Sequence, residues 1–342
     1  MGERIGLIRQ FVSEVRSARR DRFAAIIDFS YQHYALGDAL TTQVNVACLA
    51  REAGCTGIDL YLIADPVFPA APLQGFINQD NYPVHLDNLF AAFLCAPGLS
   101  SIRLVRDSMA AGLMLTSLVA SRTPKWPSLR NHLRRRMTYP MGHEIINQFH
   151  AREGYVPKLT APMGYERWAR EFLQQYWPDQ FIVCINPRQS RLSSVPVTTY
   201  RDSPLDQWHI FMDAVAESYS DVHFFMLGGF LEWDSALTRR RNVSIPRAMG
   251  LTLAHELALL HSADLFMGTS SGFATMATFT DVPYVITNIE HHFAQFAGVE
   301  VNATHYPFGS KDQYLVWEQE NADLLMRYFE TVYHAVLGDG ES

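Results

Sequence analysis

The sequence predicts an α/β protein of about two domains, each a parallel sheet covered by helices. Two observations carry this. Short apolar runs of strand length alternate with longer segments whose apolar residues recur at three- and four-residue steps, and both halves of the chain show the pattern. The length of 342 residues is about that of two domains. A third observation says where a ligand belongs. In the second half, polar turns at Asn186 to Arg191, Gly228-Gly229 and Gly268 to Gly272 each follow an apolar run. Ligands of parallel sheets sit beyond the carboxyl ends of the strands.

Taken in order, Phe23 to Phe29 reads as a buried strand and Ser30 to Asp38 as a polar, aromatic loop. Ala39 to Ala53 reads as a helix, because Leu40, Val44, Ala47 and Ala50 share a face; Gly54 and Gly57 stop it. Ile58 to Ile63 is the second strand. Asp65 to Pro83 is longer than most connections, which hints at a functional loop. His85 to Leu94 and Met109 to Val119 read as helices around a strand at Ser101 to Val105. Tyr139 to Trp177, with Pro140, Pro157 and Pro162, reads as a connector. In the second half, Phe181 to Ile185, Val222 to Leu227, Val243 to Ile245, Leu265 to Met267 and Pro283 to Thr287 read as strands. Asp206 to Ser218, Leu231 to Arg240, Leu253 to Leu260 and Phe273 to Thr280 read as helices.

Composition narrows the function. A chain that is 48% hydrophobic and 18% charged is globular rather than disordered. A net charge of -7 argues against a general nucleic-acid binder. The cysteines, Cys48, Cys55, Cys95 and Cys184, form no CxxC pair and read as buried thiols of a reducing compartment. No apolar run approaches the ~18 residues of a membrane span. Arginines interrupt the N-terminal segment, so it is not expected to be a signal peptide. Met1 to Arg20 reads as a basic amphipathic helix, packed on its own domain or lying on an anionic membrane surface. Ser121 to Arg136 is the most basic stretch, with Lys125, Arg130, Arg134, Arg135 and Arg136 close to Trp126. It reads as a solvated face or as the resting place of an anionic acceptor.

The chain is organised around Leu251 to Asn288, which reads helix, strand, small-residue turn, helix, strand. A strand ending in such a turn and opening a helix presents free N–H groups at a positive dipole end, suited to phosphate. The turn is taken as Gly268-Thr269-Ser270-Ser271-Gly272, with the N–H groups of Ser270 to Phe273 and the hydroxyls of Thr269 and Ser271 as donors. Arg188 is the expected cationic partner, since its fork binds phosphate bidentately; Arg201 is a second. Gly228 and Gly229 let a base approach the backbone, or simply turn the chain. Glu256 reads as a ligand of ribose or base, or as a helix-surface glutamate.

The whole chain resembles GT-B glycosyltransferases. Ala35-Leu36-Gly37-Asp38-Ala39-Leu40-Thr41-Thr42 looks like the Gly-Asp loop of the heptosyltransferase-like branch, and Glu256 to Val285 is similar to its nucleotide-sugar segment. Asn186-Pro187-Arg188 with Tyr200-Arg201-Asp202 resembles a bacterial family of proposed glycosyltransferases and, more loosely, fucosyltransferase-like enzymes. The chain departs from heptosyltransferases at Ser270, where they carry Asp, and at Thr275, where they carry His, so ADP-heptose is not assumed as donor. The resemblance implies two Rossmann-like domains facing a central cleft. Residues 1–156 would form the acceptor side and 157–320 the nucleotide-sugar side, with a helix at 321–342 crossing back to the first domain.

It further implies transfer of a sugar from a nucleotide-diphosphate sugar to an acceptor hydroxyl, with no other cofactor and no metal. The acceptor class stays open among glycan, lipid-linked, small-molecule and peptide hydroxyls. Asp38 is the expected general base, or the N-cap of the helix at Ala39, or both; His33 is the back-up. Glu290-His291-His292 is a poor metal cluster, because adjacent histidines point apart. An epimerase acting on nucleotide sugars and a non-catalytic sugar-nucleotide binder are the alternatives. The expected location is the cytoplasm, with at most peripheral membrane contact.

Overall fold

β1 (Arg22–Asp28) shows why a sheet forms here. Ala25 and Ile27 face one core while Ala24 and Ile26 face another, so the strand is buried on both sides. The computed structural model describes residues 21–29, 35–63, 78–80, 82–105, 108–128, 130, 142–189, 201–229, 236 and 239–338. The expected helices at Met1 to Arg20 and, for most of its length, Leu231 to Arg240 lie outside them, as does the loop at 64–77.

The first lobe continues with α1 (Leu36–Glu52), β2 (Gly57–Ile63), α2 (Tyr82–Phe93), β3 (Leu99–Val105), α3 (Ser108–Ala120) and β4 (Lys125–Trp126). Its strands are parallel in the order β3-β2-β1-β4. α1 stops where Gly54 takes a left-handed φ of +69°, a conformation glycine adopts without strain.

α4 (Glu144–Glu153) and α5 (Tyr165–Tyr176) lead to the second lobe. That lobe contains β5 (Phe181–Asn186), α6 (Leu205–Ser218), β6 (Val222–Met226), β7 (Val243–Ser244), a 3-10 turn at Pro246–Met249 and α7 (Leu253–His261). It continues with β8 (Leu265–Thr269), α8 (Gly272–Thr278), β9 (Tyr284–Thr287), α9 (His291–Ala297), β10 (Gln313–Leu315) and α10 (Ala322–Gly338). Its parallel sheet runs β10-β9-β8-β5-β6-β7. Both lobes follow Rossmann order, and the direction of winding reverses beside β5, between it and β8.

One apolar core joins the lobes. It includes Ala25, Ile27, Leu40 and Val44 from the first and Leu257, Phe266, Phe273 and Phe279 from the second. The segment after residue 141 stitches the seam. Asn45 Nδ2 donates to the Gly142 carbonyl at 3.2 Å, the His143 N–H to Phe296 O at 3.1 Å, and Asn147 Nδ2 to Ala297 O at 3.0 Å. His143 itself is buried among the rings of Phe279, Phe296, Tyr306 and Phe308, and burial lowers its pKa to about 4.

The described part of the C-terminal helix, α10, differs from the expected crossing to the first lobe. Its buried face, Leu324, Leu325, Phe329, Val332 and Tyr333, packs on Phe181, Trp208 and Phe211 of the second. Tyr333 Oη donates to Asp221 at 2.7 Å and Tyr219 Oη to Glu330 at 3.1 Å. Each large side chain buried there contributes ~1.5–3 kcal/mol. The four cysteines are buried free thiols, and burial raises the pKa of each.

Candidate functional site

The carboxyl ends of β5 and β8 flank the reversal point of the second sheet. Asn186 ends β5, and its Nδ2 donates to the Leu227 carbonyl at 2.8 Å, tying the end of β5 to that of β6. Gly268 pairs with Asn186 inside the ladder, and a Cβ there would lie 2.7 Å from Asn186 O. Gly268 and Thr269 are therefore strand residues, not turn residues, and Thr269 is fully buried. Glycine is needed at 268 for close strand approach, so the expected five-residue turn shrinks to Ser270-Ser271.

The donors change accordingly. The Ser270 N–H is committed to Thr287 O at 3.1 Å and cannot serve an anion. Ser271 is the N-cap of α8: its Oγ accepts from Ala274 N at 3.3 Å, and its hydroxyl proton is left to donate elsewhere. The N–H groups of Gly272 and Phe273 lie in the first helical turn, ahead of the helix's own hydrogen bonds.

Both predicted arginines come to this edge. The Arg188 carbonyl accepts from Ser203 N at 2.9 Å, and Gln189 Nε2 donates to the carbonyls of Arg188 at 3.0 Å and Ser203 at 2.7 Å. The turn after β5 is thereby locked to the turn before α6. Arg201 reaches β8 and donates from one guanidinium nitrogen to Ser270 O at 3.2 Å.

At the end of β6, Gly228 has a φ of +128°, a region that side chains oppose. Its N–H donates to Glu256 Oε1 at 3.0 Å, while Arg247 Nε donates to Glu256 Oε2 at 2.7 Å. Glu256 is 0% exposed. It is not a helix-surface glutamate; it fixes the turn that Gly228 makes. Gly229 is exposed.

Across the seam, α1 starts at Leu36, earlier than the sequence suggested, and Ala35 occupies the N-cap position. Asp38 is thus not the N-cap. It lies in the first turn, where its charge complements the helix dipole. The two helix starts touch. A Cβ on Gly272 would lie 2.7 Å from Leu36 Cβ, and one on Gly37 would lie 3.0 Å from Thr275 Oγ1 and 3.5 Å from the Gly272 Cα. Two positive helix ends meet here, a setting that favours negative charge. His33 lies outside the described residues.

Of the basic stretch, Lys125 is committed to the carbonyls of Thr123 at 3.1 Å and Leu118 at 3.4 Å, and burial lowers its pKa. Residues 131–136 lie outside the described set. Glu290 is the N-cap residue of α9, and nothing is described of the His291 and His292 side chains. Among the described residues no group of three His, Cys, Asp or Glu gathers to hold a metal. No described helix is long and apolar enough to cross a membrane.

Sequence reasoning missed Leu36, Thr275 and Arg247. Leu36 and Thr275 fell inside quoted motifs, but their spacing says nothing of contact across a seam.

No protein-family model matches the chain, and no curated protein matches it. Solved structures do. The chain is similar to the glycosyl transferase family 9 protein of Veillonella parvula DSM 2008, at 12% identity and a TM-score of 0.54, covering 94% of this chain and 99% of that one. It is also similar to the ADP-heptose LPS heptosyltransferase II of E. coli, at 10% identity and a TM-score of 0.52, covering 94% and 100%. Across these lengths the likeness establishes the two-lobed GT-B fold.

Proposed function

We propose that this chain is a glycosyltransferase that moves a sugar from a nucleotide-diphosphate sugar to an acceptor hydroxyl. One observation carries the proposal: the Asp38 end of α1 meets the Ser271-Gly272 start of α8 at the reversal point of the second sheet, beside Arg201. The fold supports it, and so does its likeness to the two similar structures, a glycosyl transferase and an ADP-heptose heptosyltransferase.

Each residue then has a task. When the sugar leaves, negative charge grows on the diphosphate and the sugar becomes cationic. The Gly272 and Phe273 N–H groups and the Ser271 hydroxyl would face that charge, with Arg188 and Arg201 as cationic partners. Asp38 would take the proton of the acceptor hydroxyl. Backbone dipoles and guanidinium groups suit a metal-independent reaction. The proposed setting is cytoplasmic, with at most peripheral membrane contact.

The test combines calorimetry with product analysis, using ADP, UDP and GDP and their labelled sugars. Arg188→Ala is expected to abolish diphosphate binding. Asp38→Asn is expected to keep that binding and lower turnover by ~10²–10⁴. Full activity in Asp38→Asn rejects the base assignment. Isomerised sugar without transfer rejects the transferase reading in favour of an epimerase.

A further inference from the structure

Glu320 lies in the loop between β10 and α10, beside Glu318, Gln319 and Asn321. The fold buries it to 3% exposure. Its Oε2 accepts from the Trp208 indole N–H at 3.2 Å, and its Oε1 is hydrogen-bonded by the Thr287 hydroxyl. Asn288, which holds a left-handed φ of +50°, turns its side chain toward the same carboxyl, with the Ser203 hydroxyl beside it. Every one of these partners is neutral. Among the described residues no cation pairs with this buried carboxylate, and burying one without such a partner is costly.

What the partners share is their position. Thr287 ends β9; its carbonyl holds the Ser270 N–H, and its hydroxyl lies 3.1 Å from Gly268 O. Trp208 lies in the first turns of α6, just after the turn that carries Arg201. Ser203 N holds the Arg188 carbonyl at 2.9 Å. Glu320 thus contacts the elements on both sides of the reversal point without reaching it.

We infer that Glu320 is a positioning residue: it clamps the turns bearing Arg188 and Arg201 against the ends of β8 and β9, and so sets the arginines for a diphosphate. This inference rests on the nucleotide-sugar reading above. The clamp works through hydrogen bonds rather than net charge. A glutamine at 320 can offer its oxygen to Trp208 and its NH₂ to Thr287, whose own proton then goes to Gly268 O. A leucine fills the space and offers neither.

The experiment is calorimetric titration of ADP, UDP and GDP at a temperature where every variant is folded. Glu320→Leu should weaken the best-bound diphosphate about tenfold, and Glu320→Gln should restore it to within about threefold of the parent. If Glu320→Leu does not fold, Thr287→Val and Thr287→Ser replace the pair, with loss expected in the first and retention in the second. Parent-like affinity in Glu320→Leu or Thr287→Val, with only thermal stability lowered, overturns the clamp and leaves the nucleotide reading standing. A parent chain that binds none of the three diphosphates overturns both.

Discussion

The two lobes share a strand order and differ in how their crevice edges are held. In the second lobe the edge is cross-braced. Asn186 holds Leu227, Glu256 holds Gly228, Thr287 holds Ser270, and Arg201 reaches Ser270. In the first lobe, α1 opens on Ala35 with no side-chain cap and carries Asp38 in its first turn. The difference fits the proposed division of labour. A site that stabilises developing charge gains from donors fixed before the reaction. A general base needs instead to meet the acceptor's proton in the correct geometry.

The largest way to break this comparison is to remove its deepest brace. Glu256→Ala strips Arg247 and the Gly228 N–H of their partner. It is expected to lower stability by about 3 kcal/mol, the low end for a broken buried pair because Arg247 keeps some contact with water. The shared core predicts one denaturant transition moving to lower midpoint. Two separated transitions would show that the lobes fold independently.

Acid sharpens the comparison with an effect of similar size. His143 lies in the seam, and His223 lies within the second lobe, bonded to Ser244 Oγ at 3.0 Å. Burial lowers the pKa of both from 6.5 to about 4. Well above pH 6.5 neither the folded nor the unfolded chain protonates them, and stability is full. As pH falls from 6.5 to 4 only the unfolded chain takes up these protons. Each histidine then loses about 3 kcal/mol of stability, at ~1.4 kcal/mol per pH unit. Urea titrations across that window should show the slope, and His143→Leu should remove one proton from it. In NMR titrations both imidazoles should stay neutral to about pH 4. His143 protonating near 6 while His223 stays low would mean that the lobes part freely in solution.

The smallest effect tests the contact of helix starts. Gly272→Ala places a methyl 2.7 Å from Leu36 Cβ and should cost ~1–3 kcal/mol through overpacking. Adding Leu36→Ala should recover most of that loss. Equal stability of Gly272→Ala and the parent would show that the helices stand apart in solution.

The strands were legible because runs such as Phe181 to Asn186 and Val222 to Met226 are buried on both faces, which leaves an unbroken apolar stretch. β4 and β10, two and three residues long, were not. Their polar residues carry no periodicity, and only pairing with a neighbour makes them strands. In the site, the glycine signal was seen at 268 but misread. Glycine marks a turn or a close approach equally well, and only the register of β5 against β8 says which. The burial of Glu256 was hidden for a related reason. α7 shows an apolar face at Leu253, Leu257 and Leu260, yet its Glu256 is buried as well.

The sequence by itself determined the alternation, the parallel sheets and the chemistry of the small-residue bend, because periodicity and backbone freedom are local properties. The family resemblance likewise put a helix at the C-terminus. Only the tertiary structure decided which lobe received it, that Glu256 and Glu320 point inward, and that Gly37 meets Gly272. Those outcomes depend on which surfaces close on one another, and residues far apart in the chain settle that together.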